Sequence, residues 1–129
     1  MKTSDILYAG DQLTLRYVVN QQQGTLLFSG ECDFRDPTEV LGSVFKSLAA
    51  ELSVRRLVID FCDLSYMNSA SVTPVVVFIK NVVTKACHVE LIYSSEISWQ
   101  RTTASAMRSL INSMKILTVS LRGAAGNVG

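Results

Sequence analysis

The chain has 129 residues, 48% of them apolar and 18% charged, with a formal net charge of +1. That length and composition suit one domain with its own core and exclude a disordered chain. A charge balance this close to zero offers no broad attraction to nucleic acid or to an acidic membrane surface.

The opening residues, Met-Lys-Thr-Ser-Asp-Ile-Leu, carry no long apolar run, so no signal peptide is expected. Residues 13–19 alternate: Leu13, Leu15, Tyr17 and Val19 fall on one side, Thr14 and Arg16 on the other. This predicts a strand with one wet face. Asn20 to Gly24 reads as a loop and 25–32 as a second strand, which together make a hairpin. Asp36-Pro37-Thr38-Glu39 is a helix start, with a capping Asp, a Pro suited to the first helical position and a Glu three residues after the cap. Val40, Leu41, Val44, Phe45, Leu48 and Leu52 then recur at helical spacing and face a core.

Leu57 to Cys62 is apolar apart from Asp60, which predicts a central strand covered on both faces. A second helix is expected over 71–84, a strand over 88–93, a third helix capped by Ser98, and a last strand from Ile116 to Leu121. The longest apolar stretch, Val75 to Ile79, is too short to span a bilayer. The expected architecture is α/β, a mixed, mostly parallel sheet with three helices in the order β-β-α-β-α-β-α-β and right-handed crossovers, the first strand antiparallel. Residues 1–122 form this single domain, and the Gly-rich 123–129 a disordered tail.

The informative stretch is Asp63-Leu-Ser-Tyr-Met-Asn-Ser-Ala-Ser-Val72, between the buried strand and the second helix. Binding sites in open α/β sheets gather at strand C-termini, and a helix start leaves free N–H groups. A proline keeps every helical hydrogen bond at one of the first three helical positions. Pro74 meets that condition if Ser71 is the cap, leaving Asn68, Ser69 and Ala70 as an exposed loop ahead of the helix.

This stretch, with Gly30-Glu31-Cys32-Asp33-Phe34 upstream and Ile97-Ser98-Trp99-Gln100 downstream, resembles the STAS domain of anti-sigma-factor antagonists over roughly residues 10–122. It is similar to the D-S-S-G loop of that family, and to a stand-alone bacterial subgroup with N-S-S-G and W-Q motifs. The resemblance implies a cytoplasmic, non-enzymatic regulator in a bacterial partner-switching pathway. Such a protein binds an anti-sigma-type serine kinase, which phosphorylates a loop serine, and a serine phosphatase reverses the step. Here Asn68 matches the family Asp, Ala70 falls on the usual phosphate acceptor and Ser71 on the usual Gly. Ser69 and Ser71 are the remaining candidate acceptors.

Asn68, Ser69, Ala70 and Ser71 are therefore the candidate partner-binding loop, with Asp33, Asp60 and Trp99 as supporting contacts. The blander readings are a helix cap for the serines, a turn residue for Asn68, a structural hydrogen bond for Asp60 and core packing for Trp99. His88 has no Ser or Cys at a motif spacing, and Arg55-Arg56 reads as a solvated turn. Cys32, Cys62 and Cys87 are odd in number and lack C-x-x-C spacing, which predicts reduced thiols rather than a disulfide framework or a zinc site. No catalytic residue, metal or cofactor is expected. A homo-oligomer through a free sheet edge is compatible with the pattern. The alternative reading is an accessory subunit of a transporter ATPase, or a small-ligand or lipid sensor.

Overall fold

The computed structural model describes residues 2–85 and 87–124. Six strands form one sheet in the order β1-β2-β3-β4-β5-β6: β1 Lys2–Ala9, β2 Leu13–Asn20, β3 Gln23–Cys32, β4 Arg56–Met67, β5 His88–Ser94 and β6 Val119–Ala124. The helices are α1 Pro37–Glu51, α2 Val72–Val83 and α3 Ser98–Ser113. The β1/β2 and β2/β3 pairs are antiparallel, and β3 to β6 run parallel. This is the expected α/β order with one strand added at the front.

That added strand, β1, lacks the alternation of β2 and is irregular between Ile6 and Tyr8. Pairing with β2 makes it a strand, and pairing is a tertiary property. At the other end, β6 begins three residues later than expected, because Lys115 and Thr118 take positive φ values of 55° and 63° in the connection from α3. Gly123 and Ala124, assigned to the tail from sequence, are the last residues of β6; 125–129 lie outside the described residues.

Three crossovers that progress the same way across a parallel sheet put their helices on one face. Accordingly α1 packs on α2 and α2 on α3. The expectation that β4 is covered on both faces is corrected by this topology. Leu57, Ile59 and Phe61 face the helices beside Leu26, Phe28, Val89 and Leu91, all buried. The other face is open: Arg16, Leu27, Asp60, Glu90 and Ile92 are only partly covered or exposed. Val58 is buried there by its neighbours on β3 and β5. Arg56 and Arg122 flank Glu90 on this face at 3.5 and 3.6 Å.

Under the helices Phe45 stacks on Phe78, with ring centroids 4.8 Å apart, and Phe28 meets Phe61 at the same separation. On β3, opposite the β1–β2 turn, Gly30 adopts φ 92°, and a side chain there would strike the Gln12 carbonyl. That close approach lets the Glu31 N–H donate to the same carbonyl at 2.8 Å.

Candidate functional site

β4 runs to Met67, well past the Cys62 end expected from sequence. Its pairing with β5 stops at Asp60–Ile92, while its pairing with β3 continues to Cys32–Met67. So Asp63-Leu-Ser-Tyr is strand rather than turn. Leu64 and Met67 keep the buried face, and Asp63, Ser65 and Tyr66 reach solvent because no neighbour covers them on the β5 side.

The divergence of β4 from β5 strands backbone carbonyls, and Gln100 satisfies them. Its Nε2 donates to the Phe61 and Leu64 carbonyls, each at 3.0 Å, and its Oε1 accepts the Ser94 N–H at 2.6 Å. Gln100 is buried in the first turn of α3. The sequence reading left it out of the site, although it is half of the Trp-Gln pair that carried the resemblance. That pair was the available signal, since burial of the carboxamide shows only in the fold.

After Met67 the chain makes a 3-10 turn, Ser69–Ser71, and α2 follows at Val72. Pro74 is the third residue of α2, where it loses no hydrogen bond. Asn68 organises the junction. Its Oδ1 accepts the Ser71 N–H at 3.1 Å and the Ser71 hydroxyl at 2.5 Å. Its Nδ2 donates to the Phe34 carbonyl at 2.8 Å and to Asp33 Oδ1 at 3.3 Å. The loop after β3 and the loop after β4 are thereby pinned together. Asn68 is thus a capping residue, and Ser71, nominally at the start of α2, caps nothing with its side chain. The same holds at Asp36, and α3 is entered through Ile97 with Ser98 as its first residue instead of its cap.

Of the four loop residues, Ser69 and Ala70 are exposed, Asn68 is partly covered and Ser71 is fully buried. Burial takes the Ser71 hydroxyl away from any macromolecule. Asp33 joins the loop through Asn68. Asp60 does not: it lies on the open face and accepts the Cys62 N–H at 2.9 Å, a local bond two residues along its own strand. Trp99 is partly buried against the core, and its ring meets exposed Tyr66 at 6.3 Å between centroids, close to the turn. Tyr66 was not singled out from sequence, since strand alternation alone does not say where a neighbour ends.

Burial also perturbs four titratable groups. It pushes the Cys62 thiol up to about 11, helped by the Asp60 carboxylate, and the Tyr17 phenol up to about 12. Cys32 is raised, by burial first, against an opposing hydrogen bond from Ser71, and Cys87 is raised by burial. A thiol held protonated is a poor nucleophile. Among the described residues no group of three or more His, Cys, Asp or Glu is arranged to hold a metal ion. No helix among them is long and apolar enough to cross a membrane. The apolar crevice under Trp99, lined by Phe61, Met67, Leu91 and Met107, has a free volume of about 10 Å³, room for one water at most. It does not accept a lipid in this conformation.

No family model matches the chain, and no curated protein matches it. Solved structures do. An anti-sigma factor antagonist from Mycobacterium paratuberculosis superposes with a TM-score of 0.61 at 15% identity, covering 81% of this chain and 85% of that one. The anti-sigma factor antagonist SpoIIAA, in its unphosphorylated form, superposes with a TM-score of 0.56 at 17% identity, covering 88% of this chain and 89% of that one. The chain therefore has the STAS fold of these antagonists.

Proposed function

We propose that the chain is a protein-binding regulator of the partner-switching kind, and that the turn Asn68-Ser69-Ala70-Ser71 is where its partner docks. One observation carries this reading: Ser69 and Ala70 stand exposed at the C-terminal end of β4 while Asn68 and Ser71, on either side of them, are tied down. A binding surface needs this combination, because a pre-ordered backbone gives up little entropy on association. The fold shared with anti-sigma factor antagonists supports the same assignment.

The partner on this reading is a serine kinase of the anti-sigma type in the cytoplasm of a bacterium, with a serine phosphatase as its counterpart. Ala70 has no hydroxyl and Ser71 is buried, so Ser69 is the acceptor left to such a kinase. A phosphate on Ser69 would add about −1.5 to −2 charge at the centre of the docking surface and eject the partner. No catalytic role is assigned to any residue.

The test is a pull-down from the native host with the wild type and with Ser69→Asp, followed by calorimetry on the captured protein. The expected result is a kinase held by the wild type and lost with Ser69→Asp, whose melting temperature stays unchanged. Equal affinity of both forms would place the interface elsewhere. Capture of a transporter ATPase would favour the accessory-subunit reading.

A further inference from the structure

The near-neutral chain has two oppositely charged ends. Parallel strands β3, β4 and β5 finish at one end, and there Glu31, Asp33, Asp36, Glu39 and Glu96 are exposed. The cations of those loops are Arg35 and Arg101, and Arg101 donates to the Ser95 carbonyl at 2.7 Å. At the opposite end, where β4, β5 and β6 begin, Arg55, Arg56, Lys85, His88 and Lys115 are exposed; the carboxylates there are Glu51 and Glu90, Glu90 being paired with Arg56 at 3.5 Å, and Lys85 donates to the Ala49 carbonyl. Each end also exposes apolar side chains: Tyr66 at 44% and Ile97 at 36% on the acidic end, Leu117 at 75% on the basic end.

We propose that the basic end of one copy docks head to tail on the acidic end of a second copy and covers Ser69 and Ala70. In this contact the second copy is displaced along the strands and offset by one strand. Arg55 and Arg56, which enter β4, come over Glu31 and Asp33 at the end of β3. Lys115 and Leu117, which precede β6, come over Glu96 and Ile97 after β5. The occupant is a second copy because this chain itself carries the complementary surface. A head-to-tail contact does not close on itself, so copies add in a row. Each exposed ion pair contributes little and is screened by salt, which makes the association weak and dependent on ionic strength. Exclusion of the regulatory partner by the second copy rests on the function proposed above; the self-docking does not.

Sedimentation of the purified full chain tests it without any partner. In low salt the weight-average mass should rise with concentration past twice that of the monomer, and in high salt it should return to the monomer. Arg55→Glu/Lys115→Glu removes the basic end, and Glu31→Lys/Glu96→Lys the acidic end. Each double variant alone should be monomeric in low salt, with an unchanged circular dichroism spectrum. Mixed, the two intact ends are opposite in sign and so are the two reversed ends, so copies of the two variants should alternate and the weight-average mass should again rise past that of a dimer. A chain that stays monomeric at every concentration in low salt overturns the inference. So does a dimer that survives in Arg55→Glu/Lys115→Glu, which would put the contact on a sheet edge instead.

Discussion

Asn68 and Ser71 share one oxygen: Asn68 Oδ1 accepts both the backbone N–H and the hydroxyl of Ser71, at 3.1 and 2.5 Å. The carboxamide is required at position 68, because the other half of the same group must donate to Phe34 and Asp33. A carboxylate offers no donor.

Asn68→Asp is therefore expected to destabilise the fold. It removes both donations and sets a second carboxylate beside Asp33. The expected loss is about 1–3 kcal/mol in a urea titration at neutral pH. Adding Asp33→Asn should recover part of it, since the carboxamide introduced by the second change can donate to the carboxylate introduced by the first. A single variant as stable as the wild type would show that the two loops are not joined through this side chain.

Ser71→Asp and Ser69→Asp should separate cleanly. Ser71 is fully buried, so a carboxylate there must be desolvated without a cation, which costs several kcal/mol. Ser69 is exposed and tolerates the charge. Thermal melts should show a large drop for the first and almost none for the second; equal melts would contradict the burial of Ser71.

Gln100→Leu keeps approximate volume but abandons the Phe61 and Leu64 carbonyls and the Ser94 N–H. Loss of partners for buried groups costs about 1–3 kcal/mol each, less where water enters. The total expected is about 3 kcal/mol, with a shift in the fluorescence of Trp99, the single tryptophan, next door. An unchanged denaturation midpoint would show that the split between β4 and β5 is held by other groups.

Phe45→Ala tests the facing of α1. Phe45 is buried, stacked on Phe78 and 6.3 Å from Phe28. Truncation should cost about 3–5 kcal/mol by denaturant titration. A loss under about 1 kcal/mol would mean that the helix presents another face.

Alkali should weaken the fold, with Tyr17 contributing beside the partly buried Cys62 thiol. The folded pKa of Tyr17 is raised from 10.0 to about 12, so the folded state holds that proton more tightly. The associated stability is complete below pH 10 and is lost as pH rises through the interval up to about 12. Tyr17→Phe should flatten the fall in melting temperature across that interval. The same slope in both forms would assign the alkaline transition to other groups.

Much of this fold was legible in the sequence. The stripe from Val40 to Leu52, the alternation of β2 and the apolar run of β4 each reflect burial within one element, and burial within one element leaves a local period. Pro74 located the start of α2 by a hydrogen bond it cannot make. Position and residue type also picked out Asn68 to Ser71 as one junction.

Other features depended on residues far apart in the chain. β1 is a strand because β2 lies beside it, and β4 reaches Met67 because β3 continues after β5 has turned away. Ser69 and Ser71 look alike in sequence, yet Asn68 and the Cys32 strand end hide one and leave the other in solvent. Asp60 lies outside the site because all three crossovers cover the same face of the sheet. The net charge of +1 concealed the sharpest property of the surface. A sum over residues carries no direction, and only the parallel topology sends carboxylates to one end of the strands and cations to the other.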